Sequence, residues 1–172
     1  LVHPANPYGD EMRALFTTAV EAEGGELVQI ISYDPTANDF RTVAQELGQK
    51  DYTVRALEFK EMKKEADRRG LKSDKLVLPP IIEFDGIFIA DNWKRSAAIA
   101  NGLAYEEFPV GDFLPNKHTP IIPLMGLNSW HDARITELGG TFIQHAVFVD
   151  AFSSVHSGDA AQEWVAYYQE SF

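Results

Sequence analysis

The chain contains no cysteine, which removes disulfides, thiolate metal sites and cysteine catalysis together. A periplasmic protein without disulfides fits that absence as well as a cytosolic one does. No stretch approaches the roughly 20 consecutive apolar residues that a membrane-spanning helix needs, and the opening Leu1-Val2-His3-Pro4-Ala5-Asn6-Pro7 lacks a signal-peptide pattern. As it stands, the sequence predicts a soluble chain. Basic residues are scarce, with 15 Lys and Arg against 26 Asp and Glu and a formal charge of −11. Nucleic acid is thereby disfavoured as a partner, because binding its backbone rests on clustered Lys and Arg. Neither G-x-x-x-x-G-K-[ST] nor G-x-G-x-x-G occurs, so nucleotide use is not expected. Ser129 lies between Asn128 and Trp130 with no G-x-S-x-G elbow around it. No nucleophile and base pair stands out, and no catalytic residue is predicted. His131, Asp132, His145 and Asp150 are suitable ligand types, but without H-E-x-x-H or comparable spacing they predict no metal and no cofactor.

What is present is an ordinary globular composition: 172 residues, 45% hydrophobic and 24% charged, the prior for a single domain with a substantial core. The organising stretch is Phe84 to Tyr105. Phe84 to Ala90 is a short apolar run that reads as a buried strand. Asp91-Asn92 then supplies a strand end and a helix N-cap, and Trp93 to Tyr105 continues at helical spacing through Ala97, Ala98, Ile99 and Leu103.

The same strand, polar corner and helix recur along the chain. Leu1-Val2 reads as the end of a strand whose start is missing, running into a loop through Gly9. Asp10 opens a helix with Met12, Leu15, Phe16, Ala19 and Val20 on one stripe, and Gly24-Gly25 closes it. Leu27 to Tyr33 is a strand, and Asp39 caps a helix that ends at Leu47-Gly48. Tyr52 to Arg69 reads as a charged, solvated helix, part of an insertion and connector spanning 51–80. Arg55 to Lys75 holds eight basic residues against five acids, a net of +3 that leaves the remainder at −14. Ile121 to Met125 and Gln144 to Phe152 are further strands, Asp132 to Leu138 a short helix, and Asp159 to Phe172 a last helix. Such alternation predicts an α/β fold, a mostly parallel open sheet with helices on both faces.

In such sheets ligands bind outside the carboxyl ends of the strands. Four polar loops fall there: Asn6 to Gly9, Ser32 to Thr36, Asp91-Asn92 and Leu127 to Asp132, and Ser153 to Gly158 is a fifth candidate. Tyr, Asn, Asp and Trp on one edge suit a small polar solute, because aromatic faces cover it while amides and carboxylates orient it. For Asp91, Asn38 and Asp10, capping and turn closure are the simpler roles.

Three segments carry a family resemblance. They are Asn6-Pro7-Tyr8-Gly9-Asp10-Glu11-Met12, then Gly24-Gly25-Glu26, and a strand ending Ser32-Tyr33-Asp34-Pro35 before Asn38-Asp39-Phe40. Together they resemble the second lobe of type I periplasmic solute-binding proteins of the leucine-binding kind. Phe84 to Asp91, Pro123 to Trp130 and Gly140 to Phe152 look more particularly like the penicillin-binding-protein activator lipoproteins. The resemblance covers nearly the whole chain but only one lobe, so residues 1–172 are expected to be a single lobe of a larger two-lobe protein with flavodoxin-like layering. It implies a periplasmic, cell-envelope location, with a lipid anchor possible in the parent. It further implies no enzymatic activity and a small amino-acid or peptide-like solute held between lobes for ABC transport or sensing. The ligand-binding positions it implies are Asn6, Tyr8, Asp91, Asn92, Asn128, Ser129 and Trp130. Two departures from amino-acid binders stand out: Asn128 where an acidic residue often pairs with a ligand ammonium, and the charged insertion. The alternative is a protein-interaction domain that activates penicillin-binding proteins, with the insertion engaging an envelope partner. A flavodoxin-like enzyme domain ranks third.

Overall fold

The computed structural model describes residues 1–72, 76–115, 119–150 and 158–171. Five short strands run parallel. β1 (Val2–Pro4) pairs with β2 (Ile31–Tyr33), and β3 (Ile87–Phe88) pairs with β4 (Leu124–Gly126), which pairs with β5 (Val147–Phe148). A parallel bridge between Val2 and Ile89, with the Ala90 N–H donating to the Val2 carbonyl at 2.9 Å, joins the two groups. The spatial order is therefore 2-1-3-4-5, a doubly wound sheet whose direction of winding switches between β1 and β3.

Strand side chains alternate between faces, and the core divides accordingly. Val2, Ile31, Ile87, Ile89 and Leu124 face α2 (Arg41–Leu47), α4 (Trp93–Tyr105) and α5 (Arg134–Gly139), with Ala97, Ala100, Leu103 and Ile135 packed onto them. Leu1, Phe88 and Ala90 face the other way, toward Met12 and Phe16 of α1 (Pro7–Ala22). The Phe16 and Phe88 rings stack there with centroids 3.9 Å apart. Helices thus cover both faces. Along α1 the buried stripe is narrower than its sequence predicts, since Leu15 is exposed.

Several boundaries move. α1 begins at Pro7 and not at Asp10, because the Asn6 side chain accepts from the Gly9 N–H at 2.9 Å and Pro7 fills the first helical position, where no donor is needed. Gly9 consequently sits one turn into the helix against β1, where an added Cβ would lie 1.9 Å from the Pro4 carbonyl oxygen. β2 and β3 are shorter than the apolar runs Leu27 to Tyr33 and Phe84 to Ala90, since ladder pairing covers only part of each. α3 (Ala56–Arg68) starts later than Tyr52, after a turn in which the Asp51 carboxylate accepts from Thr53 and Val54. Residues 151–157, which include the end of the expected last strand and most of the fifth polar loop, lie outside the described residues. α6 (Asp159–Ser171) closes the chain with no buried residue.

Four helices end in the same way, with a left-handed residue and paired backbone bonds back into the last turn. Gly24 and Gly70 supply that conformation at α1 and α3, but Gln49 (φ 51°) and Glu107 (φ 64°) supply it at α2 and α4. Beside these two strained ends lies a buried ion pair. Lys50 Nζ donates to Glu106 Oε2 at 2.9 Å and to the Glu106 carbonyl at 2.8 Å, and Gln45 Nε2 donates to Oε1 at 2.9 Å. A cation at the carboxyl end of α4 also meets the negative end of its dipole. The 51–80 segment is tied down beyond α3: Leu78 is fully buried, and the Arg55 guanidinium donates to the Pro79 carbonyl at 2.9 Å.

Candidate functional site

The carboxyl ends of β1, β2, β3 and β4 meet around Asp91, which is 6% exposed. One carboxylate oxygen accepts from the Asn92 backbone and side-chain amides at 2.6 and 2.8 Å. The other accepts from the Tyr33 hydroxyl at 2.5 Å and lies 3.5 Å from Arg95. The Asp91 carbonyl accepts from the Ser129 hydroxyl at 2.9 Å, the Trp130 indole N–H at 3.1 Å and the Ser96 hydroxyl at 3.4 Å. One residue thereby fixes the β2 end, the α4 start and the loop after β4. Arg95 extends the network by donating to the Pro35 carbonyl. Burial, reinforced by the hydrogen bond to Asp91, pushes the Tyr33 phenol well above its usual range, so it remains a donor.

The sequence-predicted residues fall into three groups. Tyr8, Asn128 and Ser129 sit at the rim. Tyr8 is 41% exposed, and burial raises its phenol pKa, opposed by a hydrogen bond with Ser129 and reinforced by the negative charge of Asp91. Asn128 is exposed and Ser129 half-buried, both in the short 3-10 turn Asn128–Trp130. Asn6 and Asn92 are N-caps: Asn92 Oδ1 accepts from the backbone of Lys94 and Arg95 at 3.1 and 3.2 Å. Their side-chain oxygens are committed to the helices behind them. Asp91 and Trp130 are framework. The expectation that Trp130 offers an aromatic face to a solute is corrected here, because its ring is 1% exposed and lies over the Cα of Gly126, where a Cβ would come within 2.2 Å. Likewise Asp91 has no oxygen left over for a ligand ammonium.

Tyr33, Arg95 and Ser96 complete the network, and sequence reasoning did not single them out. The one local signal for them is the Asp91 and Arg95 spacing of four residues, which suits an ion pair on the first turn of α4. At the outer side of the edge His131 contacts the Asp150 carboxylate, and the Arg134 guanidinium lies 4.5 Å from the centre of the Trp93 ring. Among the described residues no group of three metal-ligating side chains comes together. A cleft of about 420 Å³ opens at the opposite, amino edge of the sheet, between residues 25–29 and 83–88. Its lining mixes Phe16, Val20 and Phe84 with Glu26, Gln29, Glu83 and Asp85.

No family model matches the sequence, and no curated protein does. Two solved structures share the fold. One is assigned as a branched-chain amino acid ABC transporter from Rhodospirillum rubrum, with a TM-score of 0.58 and 16% identity over 98% of this chain. The other is the leucine-binding protein LivK of Thermotoga maritima, with a TM-score of 0.60 and 14% identity over 99% of this chain. The chain spans 36% and 37% of their respective lengths. The fold is α/β, a parallel sheet layered with helices like a lobe of the leucine-binding protein.

Proposed function

We propose that the chain is one lobe of a two-lobe, non-enzymatic solute receptor of the periplasm, its carboxyl edge forming half of a cleft for a small amino-acid or peptide-like solute. The observation that carries this reading is the placement of Tyr8, on the first turn of α1, with Asn128 and Ser129 at the switch between β1 and β3, where Asp91 holds the Asn128–Trp130 turn through Ser129 and Trp130. Their chemistry is a phenol, an amide and a hydroxyl. They would hydrogen-bond a polar solute, while a second lobe closes over its other side and a transporter or receptor takes it up.

Thermal unfolding of the two-lobe parent, with and without a panel of amino acids, short peptides and muropeptides, tests the reading. A true ligand at about 100 times its dissociation constant stabilises the native state by roughly 2.7 kcal/mol, a rise of several degrees. Tyr8→Ala is expected to abolish that rise and leave unliganded stability nearly unchanged, because the side chain is substantially exposed. A wild-type parent that shows no shift with any member of the panel sinks the proposal.

One observation favours the second reading, an envelope-protein interaction domain that activates penicillin-binding proteins. Lys60, Lys64 and Arg68 recur every four residues and share one face of α3, and Val54 and Leu57 nearby are each 80% exposed. On a chain otherwise strongly acidic, such a face fits an acidic partner.

A further inference from the structure

The last helix carries an aromatic face that lies exposed. In α6 the apolar residues Ala161, Trp164, Val165 and Tyr168 are spaced three, one and three apart, which places them on a single helical stripe. α6 nevertheless buries no residue: Trp164, Tyr167 and Tyr168 are 59%, 67% and 53% exposed, and the Trp164 and Tyr168 rings stack with centroids 5.5 Å apart. Three large aromatics gathered on one exposed helix mark a contact surface. Beside them Asp159, Glu163 and Glu170 follow one another by four and seven residues and so share a face. The helix holds these three acids and no Lys or Arg, a net of −3.

α3 has the complementary character. Both helices are 13 residues long, so they can pair along their whole length. Lys60, Lys64 and Arg68 form a row along α3, Leu57 lies on the same side seven residues before Lys64, and the 55–75 segment nets +3. Val54 and Leu57 are each 80% exposed while α6 buries nothing, so neither helix covers the other within one chain. Lys64 and Arg68 lean on Glu61 and Glu65 at 2.6 and 3.5 Å. Such exposed pairs contribute little and exchange readily for other carboxylates.

We propose that the occupant of the α6 face is α3 of a second copy of this chain, and that a two-fold axis repeats the contact to close a dimer. Val54 and Leu57 would pack on Trp164 and Tyr168, with Lys60, Lys64 and Arg68 facing the acidic row and the aromatic rings. Charge decides the choice of occupant. The chain carries −11 as a whole, so two copies repel each other except where α3 is presented. An anionic lipid surface would meet α3 and leave the acidic α6 uncovered. Two such helix pairs make a contact at the small end of the interface range, so the dimer is weak, with a dissociation constant on the order of 100 µM. Self-association is read without a solute, so it stands or falls apart from the receptor reading.

Sedimentation of the 172-residue chain, at concentrations spanning that value by about tenfold on either side, tests the pairing. The wild-type chain is expected to pass from monomer to dimer, and added salt to weaken the dimer. Lys60→Glu with Lys64→Glu, and separately Glu163→Lys with Glu170→Lys, set like charges across the contact. Each pair of substitutions is expected to raise the dissociation constant about tenfold or more. Mixing the two charge-reversed variants in equal amounts makes both contacts of the two-fold opposite in charge again, and is expected to restore the dimer. All four positions are exposed, and circular dichroism checks that each variant keeps its helices. A wild-type chain that stays monomeric throughout overturns the proposal and leaves α3 to the acidic partner of the second reading. Reversed variants that dimerise as the wild type does overturn it too, as does a mixture that stays monomeric.

Discussion

Lys50→Met is expected to lower the unfolding free energy by about 3–5 kcal/mol, corresponding to a fall in Tm of roughly 6–20 °C for a chain of this size. The substitution leaves the Glu106 carboxylate buried, with Gln45 as its remaining side-chain donor. An uncompensated interior charge costs far more than the intact pair contributes. The double variant Lys50→Met with Glu106→Leu is expected to recover most of the loss, because it removes both charges and keeps the volume apolar. Urea denaturation of the two single variants and the double variant measures the coupling. Single variants within about 1 kcal/mol of the parent would mean that the pair is hydrated.

Trp130→Ala is expected to cost about 3–5 kcal/mol of stability through the cavity it leaves. It also strips the Asp91 carbonyl of its indole donor. Any loss of solute binding in this variant would follow from a loosened Asn128–Trp130 turn and not from a lost contact. Trp130→Phe fills most of the space and separates the two effects, with the missing hydrogen bond expected to account for about 1 kcal/mol. Gly126→Ala approaches the same fault from the other side, since its Cβ would meet the indole at 2.2 Å. Denaturant midpoints, together with the quenching of tryptophan fluorescence, report both. A Trp130→Ala protein of wild-type stability would contradict the buried placement of the ring.

The layering of the fold and the span of α4 were legible because Phe84 to Tyr105 states them locally. A short apolar run, an Asx cap and a helical period occur within a single stretch, and α4 starts and stops where that pattern does. The start of α1 was misread because Pro7-Tyr8-Gly9 resembles a loop in composition. Asn6 as cap and Pro7 at the first helical position were the signal that it is not. Strand lengths came out too long because pairing depends on neighbours that local sequence does not specify.

At the site, sequence proposed an edge and seven residues on it, but could not divide the exposed rim from the buried supports. Whether Trp130 faces solvent or core is settled by Gly126, four residues earlier and on a different element. Lys50 and Glu106, 56 residues apart, carry no local mark of their pairing. Gln49 and Glu107 gave no hint either, since nothing in their residue types favours a left-handed turn.

The closed bonding of Asp91 bears on how such a lobe can change over time. Its carboxylate and carbonyl bonds run to Tyr33, Asn92, Ser96, Ser129 and Trp130, all within the chain. Tyr8 and Asn128 stand outside that set of bonds to Asp91. If the edge binds a solute as proposed, substitution at those two positions would retune recognition while the framework that shapes the edge stays intact, so new specificities would be reachable by single steps through folded intermediates. A lineage built on this plan can drift far in sequence while retaining one architecture.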